Sequence, residues 1–252
     1  MTDSDGDYVI GDMVYGDAGY DFVVEPMLEG HGFDPATLTE TLSGLSGQDV
    51  QTGVNFIDTT TYSISGTVTL PGTGGSMCAL EGATITVDDG TSPIPLTTNT
   101  DENGNWSYSV QELQDYTISI SYEDHTFSPS SRTISLQDDS SGVDFEDITQ
   151  RSVSLSLLGG CDNRVATTMT YQVSAQGAAG CFDTTFTVSD VETTLSLPPL
   201  IYQVEVTDID PLDDDILTQL SAVSLNLDSA GTDSSSARFI YHQPPRIQVF
   251  AN

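Results

Sequence analysis

Three segments of the chain recur downstream in the same order. TDSDGDY (2–8) returns as TDENGNW (100–106), EGHGFDPATLTETL (29–42) as EDHTFSPSSRTISL (123–136), and GVNFIDTTTYSIS (53–65) as GVDFEDITQRSVS (142–154). The offsets are 98, 94 and 89 residues, a drift that small loop insertions produce and chance similarity does not. A period near 90 residues is too long for a solenoid unit and suits one whole β-sandwich per repeat. The phase is unequal. Residues 62–150 make a complete repeat, residues 1–61 carry only the second half of one, and a divergent third sandwich occupies 151–252.

The local pattern agrees with that reading. Ser and Thr make up about a quarter of the chain, and they alternate with Val, Ile and Tyr in SISGTVTL (63–70), ATITV (83–87), YTISIS (116–121) and LIYQVEV (200–206). Turn residues punctuate these runs every ten or so positions, as they do in sandwiches rather than βαβ units. Helix signals are nearly absent. DDDILTQLSAVSL (213–225) reads either as one short helix with an acidic N-terminus or as two strands. The expected class is all-β, in tandem Ig-like or transthyretin-like sandwiches.

Taken together, SISGTVTL, EGATITV, TDENGNWSYSV, YTISISYEDHTFSPSSRTISL and GVDFEDIT resemble the carboxypeptidase-regulatory-like repeat. The resemblance covers 62–150 well, 1–61 as a half-domain, and 151–252 chiefly at its first strand. It implies a transthyretin-like sandwich that serves secreted and surface proteins as a spacer, folding accessory or adhesive module, and it brings no catalytic residues. The repeated motifs also have plain structural roles. Gly104 supplies the positive φ of a tight hairpin, with Asp101 and Asn103 bonding back to the local backbone. Pro129 marks an edge or loop that Phe127 anchors, Phe56 and Phe145 plug the core, and Trp106 follows its turn into the core as Tyr8 does.

Charge excludes several functions. Against 38 Asp and Glu stand 5 basic residues, all arginine (Arg132, Arg151, Arg164, Arg238, Arg246), for a net charge of −33. Such a surface repels phosphate backbones and anionic lipid, so nucleic acid is a poor partner. The lack of lysine removes Schiff-base chemistry, Walker-type phosphate binding and Lys-based cross-links between subunits. No stretch approaches the roughly 18 apolar residues that span a bilayer, and Met1 leads straight into TDSDGDY with no signal-like segment.

Catalytic motifs are missing. There is no GxSxG, HExxH or CxxC. His31 and His125 hold equivalent repeat positions and read as scaffold, while His242 stands alone before a Pro pair. The Gly-rich PGTGGS (71–76) leads into a strand instead of a helix, which argues against a phosphate cradle. No enzyme is expected and no cofactor is required. Calcium is the one ion worth considering. DIDPLDDD (208–215) crowds Asp208, Asp210, Asp213, Asp214 and Asp215 together, and the turns carrying Asp3, Asp5 and Asp7 or Asp101 and Asn103 resemble half of a calcium loop. A solvated acidic loop is the plain alternative.

Three cysteines remain. Cys161 and Cys181 flank one strand of the third unit, so an intradomain bridge is expected there, closing a loop of about 20 residues worth roughly 3 kcal/mol. That leaves Cys78 over. The sequon Asn105-Trp106-Ser107 and Ser/Thr-rich edges open to O-glycans suit an extracellular setting, and the acidic, lysine-free composition suits a halophile's solvated surface.

These observations lead to a structural subunit of an extracellular filament, stalk or sheath. A carbohydrate- or protein-binding module of a larger secreted protein is the competing reading. Residues 1–61 lack counterparts of SISGTVTL and ATITV, and a half-sandwich leaves an apolar face and open strand edges. The C-terminal stretch ARFIYHQPPRIQVFAN (237–252) offers Phe239, Tyr241, Ile247, Val249 and Phe250 in two apolar runs separated by Pro244 and Pro245. Added to the next copy's first domain, that tail makes a head-to-tail homopolymer. Alternatively, the strands are supplied covalently by a longer tandem polypeptide.

Overall fold

Alternation of β-branched and hydroxylic residues gives strands where period two predicts them. The computed structural model describes residues 2–11, 13, 19–42, 51–111, 113–159, 163–164, 168–177, 181–189, 192–210, 221–229, 231 and 234–240. The chain forms two compact units, Met1–Tyr62 and Ser63–Asn252. Among the described residues all regular structure is β apart from one 3-10 turn, Thr73–Gly75. The fold is all-β. Of the ambiguous 213–225 stretch, residues 213–220 lie outside the described set, and Val223–Asn226 is a strand.

The first unit holds β1 (Tyr20–Val24), β2 (Phe33–Asp34), β3 (Leu38–Leu42) and β4 (Ile57–Asp58). Here β1 pairs antiparallel with β3, and β2 with β4. The next repeat runs through β5 (Tyr62–Pro71), β6 (Met77–Ala79), β7 (Thr84–Asp88), β8 (Leu96–Asn99), β9 (Asn105–Val110), β10 (Asp115–Ser121), β11 (Phe127–Ser128), β12 (Ser131–Ser135) and β13 (Phe145–Asp147). One sheet has the order β12-β10-β7-β8; the other is β11-β13-β5-β6, with β9 also on β5. Between them lie Ile64, Val68, Leu70, Ile85, Val87, Trp106, Tyr116, Ile118, Phe127 and Phe145, all buried. Trp106, Phe127 and Phe145 therefore fill the core roles expected of them.

The last repeat comprises β14 (Arg151–Gly159), β15 (Asn163–Arg164), β16 (Thr168–Ala175), β17 (Asp183–Val188), β18 (Glu192–Leu197), β19 (Ile201–Asp210), β20 (Val223–Asn226) and β21 (Ser234–Ile240). Its sheets run β15-β14-β18, with β21 parallel to β14, and β17-β16-β19-β20. Val153, Leu155, Tyr171, Val173, Tyr202, Val204 and Phe239 close its core.

The internal repeat survives down to register. Asp21 faces Thr41 across β1 and β3, and 94 residues later the same ladder places Asp115 opposite Ser135 in β10 and β12. Phe33 faces Asp58, and Phe127 faces Asp147. What differs is the company. In the complete repeat β13 pairs parallel with β5, and β10 pairs with β7. Among the described residues of the first unit no strand fills either place. Tyr8, Phe22, Val24, Phe33 and Phe56 stay half-exposed there, whereas their counterparts Trp106, Tyr116, Ile118, Phe127 and Phe145 are 7% exposed or less. Phe56 thus falls short of the buried plug expected of it, for want of the opposing strands. Each such side chain forgoes part of the roughly 1.5–3 kcal/mol that full burial contributes.

Candidate functional site

The turn at residues 71–76 positions the most distinctive cluster in the molecule. Gly72 donates its N–H to Ser76 O at 2.8 Å, which folds the turn back on itself. A Cβ at Gly72 would lie 2.2 Å from Cys181 O, so only glycine permits the backbone of the third sandwich to come this close. Through that contact the Thr73 N–H reaches Cys181 O at 2.9 Å, Ser76 Oγ donates to the same carbonyl at 2.9 Å, and the Asp183 N–H reaches Thr73 Oγ1 at 2.7 Å. A disulfide joins Cys78 to Cys181, with Cα atoms 5.2 Å apart.

This corrects the expected pairing. Cys181 bonds to Cys78 of the preceding sandwich instead of Cys161, and Cys161 lies outside the described residues. The physical reason is interdomain. The 71–76 turn and β6 bring Cys78 to the start of β17, a proximity that spacing within the third repeat cannot reveal. PGTGGS is accordingly a latch between two sandwiches. Its functional role was missed in the sequence reading; the one available signal was a glycine-rich turn two residues ahead of a cysteine.

A second contact fastens the same two sandwiches elsewhere. Arg151, almost fully buried, places its guanidinium Nη2 2.6 Å from Asp124 Oδ1, and the Gly231 N–H donates to Asp124 Oδ2 at 3.0 Å. Arg151 first, then the Gly231 amide, holds the Asp124 carboxyl below the usual carboxylate range. Asp228 beside this contact shows the reverse. Burial pushes its carboxyl up, against the opposing pull of His125 and Arg151.

Under this contact sits a buried histidine–aspartate pair. His125 Nδ1 lies 2.6 Å from Asp147 Oδ2, with both side chains fully buried. Asp147 Oδ1 accepts the Thr149 N–H at 2.9 Å, Thr149 Oγ1 accepts the Thr126 N–H at 2.8 Å, and the Tyr122 ring stands edge-on to His125 at 4.8 Å. The first unit reproduces this network atom for atom. His31 Nδ1 lies 2.6 Å from Asp58 Oδ2, Asp58 Oδ1 accepts the Thr60 N–H at 2.9 Å, and Thr60 Oγ1 accepts the Gly32 N–H at 3.0 Å. Here the side chains are 24% and 42% exposed. The Thr60 bonds foremost, then His31, bring the Asp58 carboxyl down to about 2. Both histidines are scaffold, tying one strand end to the turn beside it.

The acidic turns satisfy themselves. Asp3 Oδ1 accepts the N–H groups of Asp5 and Asp7 at 3.0 and 2.9 Å, and Asp101 Oδ1 those of Asn103 and Asn105 at 2.9 and 2.8 Å. Asp208 is an exposed residue of β19; the side chain of Asp210 and all of Asp213, Asp214 and Asp215 lie outside the described set. Among the described residues no three His, Cys, Asp or Glu side chains gather as a cation cage. Asn105, the sequon residue, is exposed at the start of β9. Of the proposed assembly residues, Phe239 is taken up elsewhere. It is 2% exposed in the third core, 5.8 Å from the Tyr171 ring. Tyr241, Ile247, Val249 and Phe250 lie outside the described residues.

An open cleft of about 690 Å³ on the complete repeat is lined by Ser65, Thr67, Asn99, Asn105 and Asp144 over the buried Trp106. It presents no exposed ring. Among the described residues Tyr20 is the one exposed aromatic.

No family model matches the chain, and no curated protein matches it. Solved structures do. The Bacillus anthracis TIE protein aligns over 84% of this chain with a TM-score of 0.42 and 10% identity; the chain spans 42% of that protein's length. The shaft pilin SpaA of Lactobacillus rhamnosus GG aligns over 75% of this chain and all of its own, at 0.32 and 11%. A minor pilin of Streptococcus agalactiae aligns over 76% of this chain and all of its own, at 0.34 and 7%. No helix among the described residues is long and apolar enough to cross a membrane.

Proposed function

We propose that the chain is a structural subunit of an extracellular filament, stalk or sheath, a load-carrying spacer without catalysis. The observation that carries this reading is the two-point fastening of consecutive sandwiches. The Cys78–Cys181 bridge with its hydrogen-bonded turn and the Asp124–Arg151–Gly231 contact turn two domains into one stiff segment. A spacer needs stiffness along its length, whereas a binding module needs a recognition face. Among the described residues Tyr20 is the one fully exposed aromatic ring; the others are buried or half-buried, so no row of exposed rings of the kind a glycan-binding face displays is seen. A disulfide between domains also belongs to oxidising surroundings such as the cell surface.

In this reading copies join head to tail, with the C-terminal residues Tyr241, Ile247, Val249 and Phe250 adding a strand to the next copy. Negative-stain microscopy of the native material tests the proposal. Filaments or regular strings of beads are expected. Isolated particles that bind a glycan or protein ligand would overturn it in favour of the binding module.

A further inference from the structure

Among the described residues, the half-sandwich of the first unit has the neighbours of one further strand in place but not that strand. In the complete repeat, residues 140–147 run beside β5. The Ser65 N–H reaches Ser140 O, the Val143 N–H reaches Ser65 O, Asp144 Oδ1 takes the Thr67 N–H, and Phe145 faces Val68 in a parallel ladder. Residues 51–58 are the counterpart. Gly53 holds φ +80 where Gly142 holds +76, and β4 meets β2 as β13 meets β11. Among the described residues, no strand lies where β5 would. Beside the gap Ile57 is 69% exposed, and Val54 and Phe56 are half-exposed.

We propose that this position is filled by residues 246–252 of a second copy, laid parallel to residues 51–58; the inference rests on the assembling-subunit reading above. Charge selects the occupant. Residues 1–61 carry twelve carboxylates and no Lys or Arg, so any further acidic strand is repelled. RIQVFAN (246–252) opens with Arg246 and holds no Asp or Glu, in a chain with five basic residues altogether. Its pattern fits a half-buried strand. Ile247 and Val249 fall on one face, as Val68 and Leu70 do in β5, where both are fully buried. The buried Phe239 holds β21 in the third core, so the segment that reaches the second copy starts after it, beyond the Pro244-Pro245 break.

Two full-length preparations test this, both with Cys161→Ser, one also carrying Ile57→Cys and the other Gln248→Cys, the pair that stands where Glu146 faces Thr69 in the complete repeat. Mixed under mild oxidation, they can join residue 57 to residue 248 only between copies. The expected result is a covalent dimer whose peptide map shows that bond, reduced about tenfold when Ile247→Asp and Val249→Asp are added to the second partner. No 57–248 bond, or a dimer indifferent to those substitutions, overturns the proposal. Microscopy of the full-length chain is scored separately. Filaments without the bond leave the subunit reading standing and remove this connector, while the bond without filaments does the reverse.

Discussion

The first unit and the complete repeat carry the same hydrogen-bond frame in different surroundings. His31–Asp58–Thr60 and His125–Asp147–Thr149 match in partners and in their 2.6 Å His–Asp distance, yet the first pair is 24% and 42% exposed and the second not at all. Local geometry is therefore written into the repeated motif itself. Burial is conferred by what the motif is covered with: strands β5 to β8 on one side and the third sandwich on the other. The comparison separates two things usually entangled, how a corner of a sandwich is shaped and how much it is worth.

The largest expected effect concerns the covering domain. A disulfide between residues 103 apart constrains the unfolded chain by about 4.7 kcal/mol in the loop-entropy account, for a loop of roughly 100 residues. Cys78→Ser should lower the unfolding midpoint of the second unit, followed through Trp106, the chain's single tryptophan, which reports on that unit alone. Cys161→Ser should leave it unchanged. Equal loss from both substitutions would break the assignment of the bridge.

Next come the two histidines. His125→Ala strips the partner from a fully buried carboxylate, a loss of about 3–5 kcal/mol. His31→Ala removes a partly solvated pair and should cost less than about 1 kcal/mol. Denaturant unfolding of both variants sharpens the comparison. If the two cost the same, covering contributes nothing and the corner is worth its local bonds alone.

The elements legible in the sequence were those that recur. The order of three motifs and their drifting offsets pointed to the half-repeat and to the scaffold role of both histidines, because a repeated motif reports local geometry twice. Their aspartate partners went unread, although Asp58 and Asp147 stand at the same place in GVNFIDTT and GVDFEDIT. The latch was not. Whether Cys181 meets Cys161 or Cys78 depends on how two sandwiches abut, and Gly72 owes its role to a carbonyl 109 residues away in sequence. Phe239 misled for a related reason. Its apolar run reads as a free tail, but a parallel place beside β14 accepts it, and strand pairing at that range leaves no local mark.

The smallest expected effect tests covering at one backbone position. Gly6 and Gly104 occupy the same turn in the two repeats, at φ +83 and +74. Alanine at either pays for a left-handed conformation, roughly 1–2 kcal/mol. Beyond that the two sites part. A Cβ at Gly6 meets nothing within 4 Å, while one at Gly104 lies 2.4 Å from Val68 O and 3.3 Å from Leu80 N. Those atoms belong to β5 and the segment after β6, and the Val68 N–H already donates to Gly104 O at 2.8 Å, so the turn cannot back away without breaking that bond. Gly104→Ala should therefore cost about 1–3 kcal/mol more than Gly6→Ala, the usual penalty of overpacking. Unfolding curves of the two variants measure the difference directly. A strand seated beside residues 51–58 in the assembled state would narrow it, because Gly6 would then face a carbonyl as Gly104 does. The gap between the two alanine variants, compared in monomer and in filament, thus reads out whether the first unit has acquired the neighbour that the complete repeat carries within itself.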